Sequence, residues 1–211
     1  LPDTMAVRVD DLSAFGRHIA DLDLTATSAP GSVKARFSSS QTNGEVTWES
    51  AGRGKLTARL GKLQLESSSL ESTSEVSQKA TDELPALDVT ADDFSLGSRR
   101  FGKLELQARN ESGLWRLDRV ALTNPAGEFS GSGQWQPGAG KNRTQIAFKV
   151  DSPDVGKLLD RLGYPGTVKG GTAHLDGNLA WAGSPVDFGY GTLSGDMKVD
   201  VTKGQFLKAD P

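Results

Sequence analysis

The run Gly97-Ser98-Arg99-Arg100-Phe101-Gly102-Lys103 has the glycine and lysine spacing of a phosphate-binding loop. In such a loop, backbone N–H groups cradle the phosphate and the lysine neutralises it. The next residue, however, is Leu104, where a Ser or Thr should hold magnesium. The residues beyond it alternate like a strand, so no helix N-terminus faces the phosphate. Asp10-Asp11 and Asp92-Asp93 suggest a carboxylate pair or a calcium site. Neither has further acidic residues at loop-ligand spacing, and adjacent aspartates read better as turn formers that bond nearby backbone. His18 and His174 are the only histidines; His174 and Asp176, two apart on a strand pattern, share a wet face. There is no G-x-S-x-G elbow and no cysteine, so neither a nucleophile nor a thiolate cluster is on offer. Trp48, Trp115, Trp135 and Trp181 could stack on sugars, but each is in phase with the aliphatic residues of its strand and reads as lining. Arg99, Arg100 and Lys103 could hold lipid headgroups; a solvated turn is the simpler reading.

These residues must be positioned by a chain of 211 residues with net charge -3, enough for one large or two small domains. Mild acidity argues against nucleic acid, which needs a basic face. Hydrophobic residues make up 36% and aromatics 7%, with 25 glycines: lean for a closed core, yet too apolar for a disordered chain. The lack of cysteine fits a cytosol or a bacterial periplasm rather than a disulfide-stapled secreted domain. No signal peptide and no apolar run near 18 residues is visible. Both ends read as cut, so a section of a longer protein is expected.

The organising feature is a repeat. Val9 to Ala26 aligns with Ala91 to Ala108 without a gap at an offset of 82 residues, matching Asp10, Asp11, Ser13, Arg17, Leu22, Leu24 and Ala26 to Asp92, Asp93, Ser95, Arg99, Leu104, Leu106 and Ala108. The phosphate-loop glycines are absent from the first copy, so what recurs is a turn and an alternating strand. Repeats of this kind are stacked units burying a shared face. Period-2 alternation dominates elsewhere too: Val33-Ala35-Phe37, Val46-Trp48, Leu56-Ala58-Leu60, Phe129 to Trp135, Ile146-Phe148-Val150, Leu175 to Trp181, and Met197-Val199-Val201. Gly61 and Asp118-Arg119 shift the parity as bulges would, and with Gly177 they mark where face assignments could reverse. Thr202-Lys203-Gly204 reads as a turn. One helix is expected near 153–162, capped by Ser152, begun by Pro153 and ended by Gly163, with Val155, Leu158, Leu159 and Leu162 on one face. The fold expectation is therefore all-β: a curved, mostly antiparallel meandering sheet of about a dozen strands, some 60 Å across at ~4.8 Å per strand. Such a sheet would form an elongated apolar groove with one short helix. The expected organisation is a first β unit over 1–65, a polar linker or insertion over 66–83 (a short helix over 68–79 being the other reading), a second unit over 84–151, and the helix plus a further β segment over 152–211.

Several stretches together carry a family resemblance: the Asp92-Asp93-Phe94 turn feeding Phe101 to Leu106, the run Trp115 to Trp135, and Asp154 to Gly166 through Leu179 to Gly183. The chain resembles the C-terminal part of the AsmA-like envelope proteins, most closely the YhdP-like members, specifically from about residue 84 onward. The resemblance implies a curved β-groove in the periplasm of a Gram-negative bacterium. The full-length protein would be anchored in the inner membrane and bridge towards the outer one, with phospholipid acyl chains carried along the groove. The lining would comprise Leu22, Leu24, Val46, Trp48, Leu104, Leu106, Phe129, Trp135, Ile146, Phe148, Leu175 and Trp181. No catalytic residue, cofactor or metal is called for, and the segment alone is expected to be a soluble monomer. Two rival readings make opposite predictions. A structural or adaptor β module of the envelope needs a narrow, self-filled core and an exposed edge strand. A carbohydrate-binding sandwich needs two or more tryptophans exposed together.

Overall fold

A computed structural model describes residues 4–14, 17–65, 84–111, 113–137, 142–185 and 190–207. Twelve strands form one sheet in which spatial order equals chain order. They are β1 (Thr4–Ala14), β2 (Arg17–Ala29), β3 (Ser32–Ser38), β4 (Thr42–Glu49), β5 (Lys55–Leu65), β6 (Ala86–Leu96), β7 (Arg99–Glu111), β8 (Leu114–Asn124), β9 (Gly127–Gln136), β10 (Arg143–Ser152), β11 (Val168–Ala182) and β12 (Ser194–Phe206). The sheet is curved and unclosed, and β1 and β12 are its edges. Helix α1 (Val155–Arg161) lies between β10 and β11. No helix among the described residues is long and apolar enough to cross a membrane.

Every neighbouring pair is antiparallel except β5 and β6, which run parallel, Lys55 beside Ala86 and Leu65 beside Leu96. A parallel pair cannot be joined by a hairpin, because the chain must first return along the strand. An 11-residue strand is about 35 Å long, and the 20 residues between Leu65 and Ala86 can reach roughly 66 Å. The stretch 66–83, expected as a linker or short helix, lies outside the described residues; its ends require this return. The parallel seam falls between the sequence repeats, since the repeated turn-and-strand occupies β1–β2 in one copy and β6–β7 in the other.

The seam carries an ion pair on the polar face. Arg59 Nη1 donates to Asp88 Oδ1 and to the Asp88 main-chain oxygen, each at 2.9 Å. The hydrogen bond from Arg59 holds the Asp88 carboxyl below its usual range; partial burial opposes this, and the positive charges of Arg59 and Lys55 add to it. A carboxyl depressed in the folded state stabilises above its unfolded pKa and loses that contribution as pH falls through the folded value. Amide exchange across β5 and β6 is therefore expected to quicken, relative to the other strand pairs, as pH drops below about 4. Asp88→Asn should remove that selective acid sensitivity. If the seam stays as protected as its neighbours throughout, the pair contributes nothing.

Three local expectations are corrected. The aspartate pairs lie inside strands rather than in turns, and the second pair is a bulge. Ala91 faces Leu104 and Phe94 faces Gly102, so three steps on β6 oppose two on β7 at Asp92-Asp93. At the first copy Asp10 and Asp21, opposite each other, drop out of the pairing while the register holds, and Asp21 takes φ 55°. The turn of the second copy is instead at Gly97-Ser98, so the phosphate-loop spacing is a β-hairpin. Thr202-Lys203-Gly204 is also strand rather than turn: Thr202 pairs with Thr172 and Gly204 with Gly170, while Lys203, at φ 58°, and Gly171, at φ 87°, drop out of the pairing opposite each other. The helix is capped by Asp154, whose side chain accepts from the Lys157 N–H at 3.1 Å. Ser152 belongs to β10, and its hydroxyl donates to the Ala126 carbonyl at 2.8 Å. Asp wins because its carboxylate matches the exposed N–H groups of the first turn. Gly163, at φ 91°, follows the helix end as expected. The parity shifts at Gly61 and Asp118 are present as register shifts opposite Asn43-Gly44 and between Leu117 and Val120. Gly177 stays in phase.

Candidate functional site

The pleat places alternate side chains on one face, and the register decides whether those faces join across strands. Here they join without a break. One row of directly paired residues runs Val7, Leu24, Phe37, Gly44 and Leu60 over the first five strands. It crosses the parallel seam to Ala91 and continues through Leu104, Leu122, Phe129, Val150 and Leu175 to Val199. A second row, two residues along, runs from Met5 through Val46, Ala58, Leu106 and Phe148 to Met197 and is likewise apolar or glycine throughout. A third carries Trp48, Leu56, Leu87, Ala108, Leu117, Gly133, Ile146 and Leu179. Twelve strands at about 4.8 Å make this lane roughly 50 Å long.

Each residue expected to line the groove sits on this face. Leu24, Leu104, Phe129 and Leu175 share the first row, Val46, Leu106 and Phe148 the second, and Trp48 and Ile146 the third. Leu22 lies opposite Val9, next to the first row. Trp135 and Trp181 flank Thr144 at the edge of the lane and are buried, 5% and 6% exposed. Their indoles donate to Asn142 Oδ1 at 2.7 Å and to the Ser184 carbonyl at 2.9 Å. They form a wall at one rim. Trp48 is 37% exposed and Trp115 only half-buried, so no two tryptophans form an exposed platform and the carbohydrate sandwich is not this structure.

No second sheet covers the lane: the described strands form one sheet, and most lane residues are half-buried. The most covered part is at the seam, where Ala58, Leu60, Ala91 and Leu104 cluster with Val89, Leu106 and Val120 around them. Phe129 and Phe148 stack at 6.3 Å further along. At one side α1 packs on β11 and reaches β7. It closes a cavity of about 280 Å³ between Leu158 and Leu162 above and Phe101, Leu122, Phe129 and Val150 below.

The opposite face is polar and ion-paired. Glu45 takes Arg36 at 2.8 Å and Lys34 at 3.2 Å; Glu105 takes Lys103 at 2.9 Å and Arg119 at 3.3 Å. These cations hold both glutamates below the usual carboxylate range, though exposed pairs of this kind add little stability. His174 is on this face, 2.5 Å from Asp151 and 3.5 Å from Asp176. His18 lies outside the residues whose side chains are described. Among the described residues no three metal-ligating side chains converge.

The model of the YhdP protein family matches residues 1–211, the whole chain. The chain belongs to the YhdP family. No curated protein and no solved structure matches it. Membership places the chain among bacterial envelope proteins. It also extends the likeness across β1–β5, where the sequence motifs were weak. Sequence reasoning placed Gly131, Gly133 and Gly177 in phase with the lane but missed Gly44 and Gly195, the backbone contact that calls for glycine at these positions, and the cavity under α1. The glycines look like loosened strand until the register shows a partner backbone where a Cβ would go. The cavity depends on where the helix lands.

Proposed function

We propose that the chain is a segment of a bridge-like lipid transport protein whose apolar lane carries phospholipid acyl chains across the periplasm between inner and outer membranes. The carrying observation is the pair of all-apolar rows that cross twelve strands with no sheet laid over them. A monolayer's hydrocarbon depth is half of the ~30 Å bilayer core, so a lane of roughly 50 Å holds about three acyl lengths in line. Each buried CH₂ gains about 0.8 kcal/mol, spread over contacts that are individually weak and undirected. A chain is therefore held firmly overall and still slides, since each step forward exchanges one methylene contact for an equivalent one. This requires no catalytic group. YhdP family membership supports the reading at the level of an envelope protein connected with lipid transport.

Native mass spectrometry of the purified chain after incubation with phosphatidylethanolamine and phosphatidylglycerol vesicles is expected to recover bound phospholipid. Photo-crosslinkers at Val46, Leu106 and Phe148 should label acyl chains, while one at Gln107 on the polar face should not. Equal labelling of both faces, or no recovered lipid, would sink the proposal. A structural adaptor role is the second reading. It is favoured by β12, whose Met197, Val199, Val201 and Phe206 are 55%, 48%, 53% and 77% exposed along an unpaired edge. It predicts strand addition at that edge without lipid uptake.

A further inference from the structure

Eleven arginines have described side chains, and eight of them bond to a partner: Arg8, Arg36, Arg53, Arg59, Arg109, Arg116, Arg119 and Arg143 reach a carboxylate, amide or hydroxyl. The three without a side-chain partner are Arg99, Arg100 and Arg161. Arg161 lies some sixty residues beyond the adjacent Arg99 and Arg100, yet the fold gathers all three at one place. Arg100 and Arg161 both line the cavity under α1. Arg99 Nε is 3.9 Å from where a Cβ on Gly163, just past the end of α1, would stand. The body of this cavity is apolar, and its other polar contributors are Asn124 and Glu128. Asn124 is already used, donating to the Phe101 carbonyl at 3.0 Å and accepting from the Ala126 N–H at 2.9 Å.

We infer that α1 and the β6–β7 hairpin form a seat for a glycerophospholipid headgroup, the phosphodiester held by Arg100 and Arg161 with Arg99 beside them, and the start of one acyl chain lodged beneath Leu158 and Leu162. This rests on the lipid-carrying reading and adds a place where lipid is held by its head. The occupant follows from charge and shape. Three cations against the single carboxylate of Glu128 favour an anion, and arginine's planar fork suits phosphate oxygens. A cavity of about 280 Å³ admits about nine groups of methylene size, taking each near the ~30 Å³ share of a water molecule. The cavity floor is the lane itself, since Leu122, Phe129 and Val150 belong to the first apolar row. A lipid seated here has its tail already in the lane.

The test is native mass spectrometry of the purified chain with dioleoylphosphatidylglycerol, dioleoylglycerol or glycerol 3-phosphate, comparing the parent with the double variant Arg100→Gln, Arg161→Gln. Phosphatidylglycerol should bind the parent and lose about tenfold in affinity in the variant. Diacylglycerol should bind more weakly and be indifferent to the substitutions, and glycerol 3-phosphate should not be retained. Leu158→Trp, which fills the cavity from above, should weaken both lipids alike. The seat is refuted if phosphatidylglycerol binds parent and double variant equally, or if glycerol 3-phosphate binds as well as the lipid, which marks a free-phosphate site. If neither lipid binds the parent, the lane reading falls and the seat with it; if diacylglycerol binds as tightly as phosphatidylglycerol, only the seat falls.

Discussion

Leu106→Asp is expected to abolish lipid movement through the full-length protein while leaving its abundance close to normal. Leu106 sits mid-lane in the second row, between Val89 and Val120, and is half-buried with its outer side open. In the empty lane an aspartate there keeps its hydration, so folding loses only part of a leucine's burial, about 1–2 kcal/mol. An acyl chain passing over it must strip that water from a charge with no cationic partner in the row. Several kcal/mol of desolvation follow, and 4 kcal/mol is already about a thousandfold in rate or occupancy. Leu106→Met should transport normally, because it retains volume and apolarity, and Gln107→Asp, on the polar face, should be silent. The measurement is lipid flux between membranes in cells, normalised to protein level by immunoblot. Continued flux through Leu106→Asp would show that the chains take another route. Flux that falls only as protein falls would make the residue structural.

Gly133→Ala should be among the most destabilising single-methyl changes in the sheet. Its backbone is not left-handed, so conformational freedom is not the reason for glycine. A Cβ there would overlap the Gln145 carbonyl oxygen and stand 2.9 Å from Ile146 Cα. Both are backbone atoms of the adjacent β10, which cannot step aside without opening the ladder. A cost of about 3 kcal/mol is expected, against the small gain that Gly→Ala normally brings in a strand. For a chain of this size that lowers the thermal midpoint by roughly 6–12 °C. Because each strand contacts chiefly its two neighbours, the damage should stay local. Amide protection should fall across β9 and β10 and hold at β3 and β4. Ser132→Ala, next door on the polar face, is the control. A Gly133→Ala midpoint within 1–2 °C of the parent would mean the strands have slack at this point.

Much of the architecture is legible because it is written at short range. Alternation in Leu104-x-Leu106-x-Ala108 follows from the pleat, which turns every second side chain to the same face whatever its neighbours do. The parity changes at Gly61 and Asp118 could be read as bulges for the same reason: one extra residue exchanges the faces. The helix was visible in the spacing of Val155, Leu158, Leu159 and Leu162, although its cap was misassigned from Asp154 to Ser152. Both residues are good caps, and only the pairing of Ser152 with Ala173 in the sheet separates them. The aspartate pairs misled in a related way. Their type favours turns and bulges alike, and the choice lay in whether Phe94 would meet Gly102 across the strand.

The sequence by itself determined which side chains could face together, where the repeat falls, and that no familiar catalytic constellation is spelled out. Only the tertiary structure decided that these faces meet in one register from Val7 to Val199, that the two repeats join by a parallel seam, and that α1 lies over the lane and gathers Arg99, Arg100 and Arg161 beside it. The division has a physical cause. A strand's faces are set by its own backbone, while register, seam and helix placement are fixed by partners tens of residues away. Nothing local in Gly97 to Lys103 distinguishes a solvated basic turn from one held against the end of a helix sixty residues later.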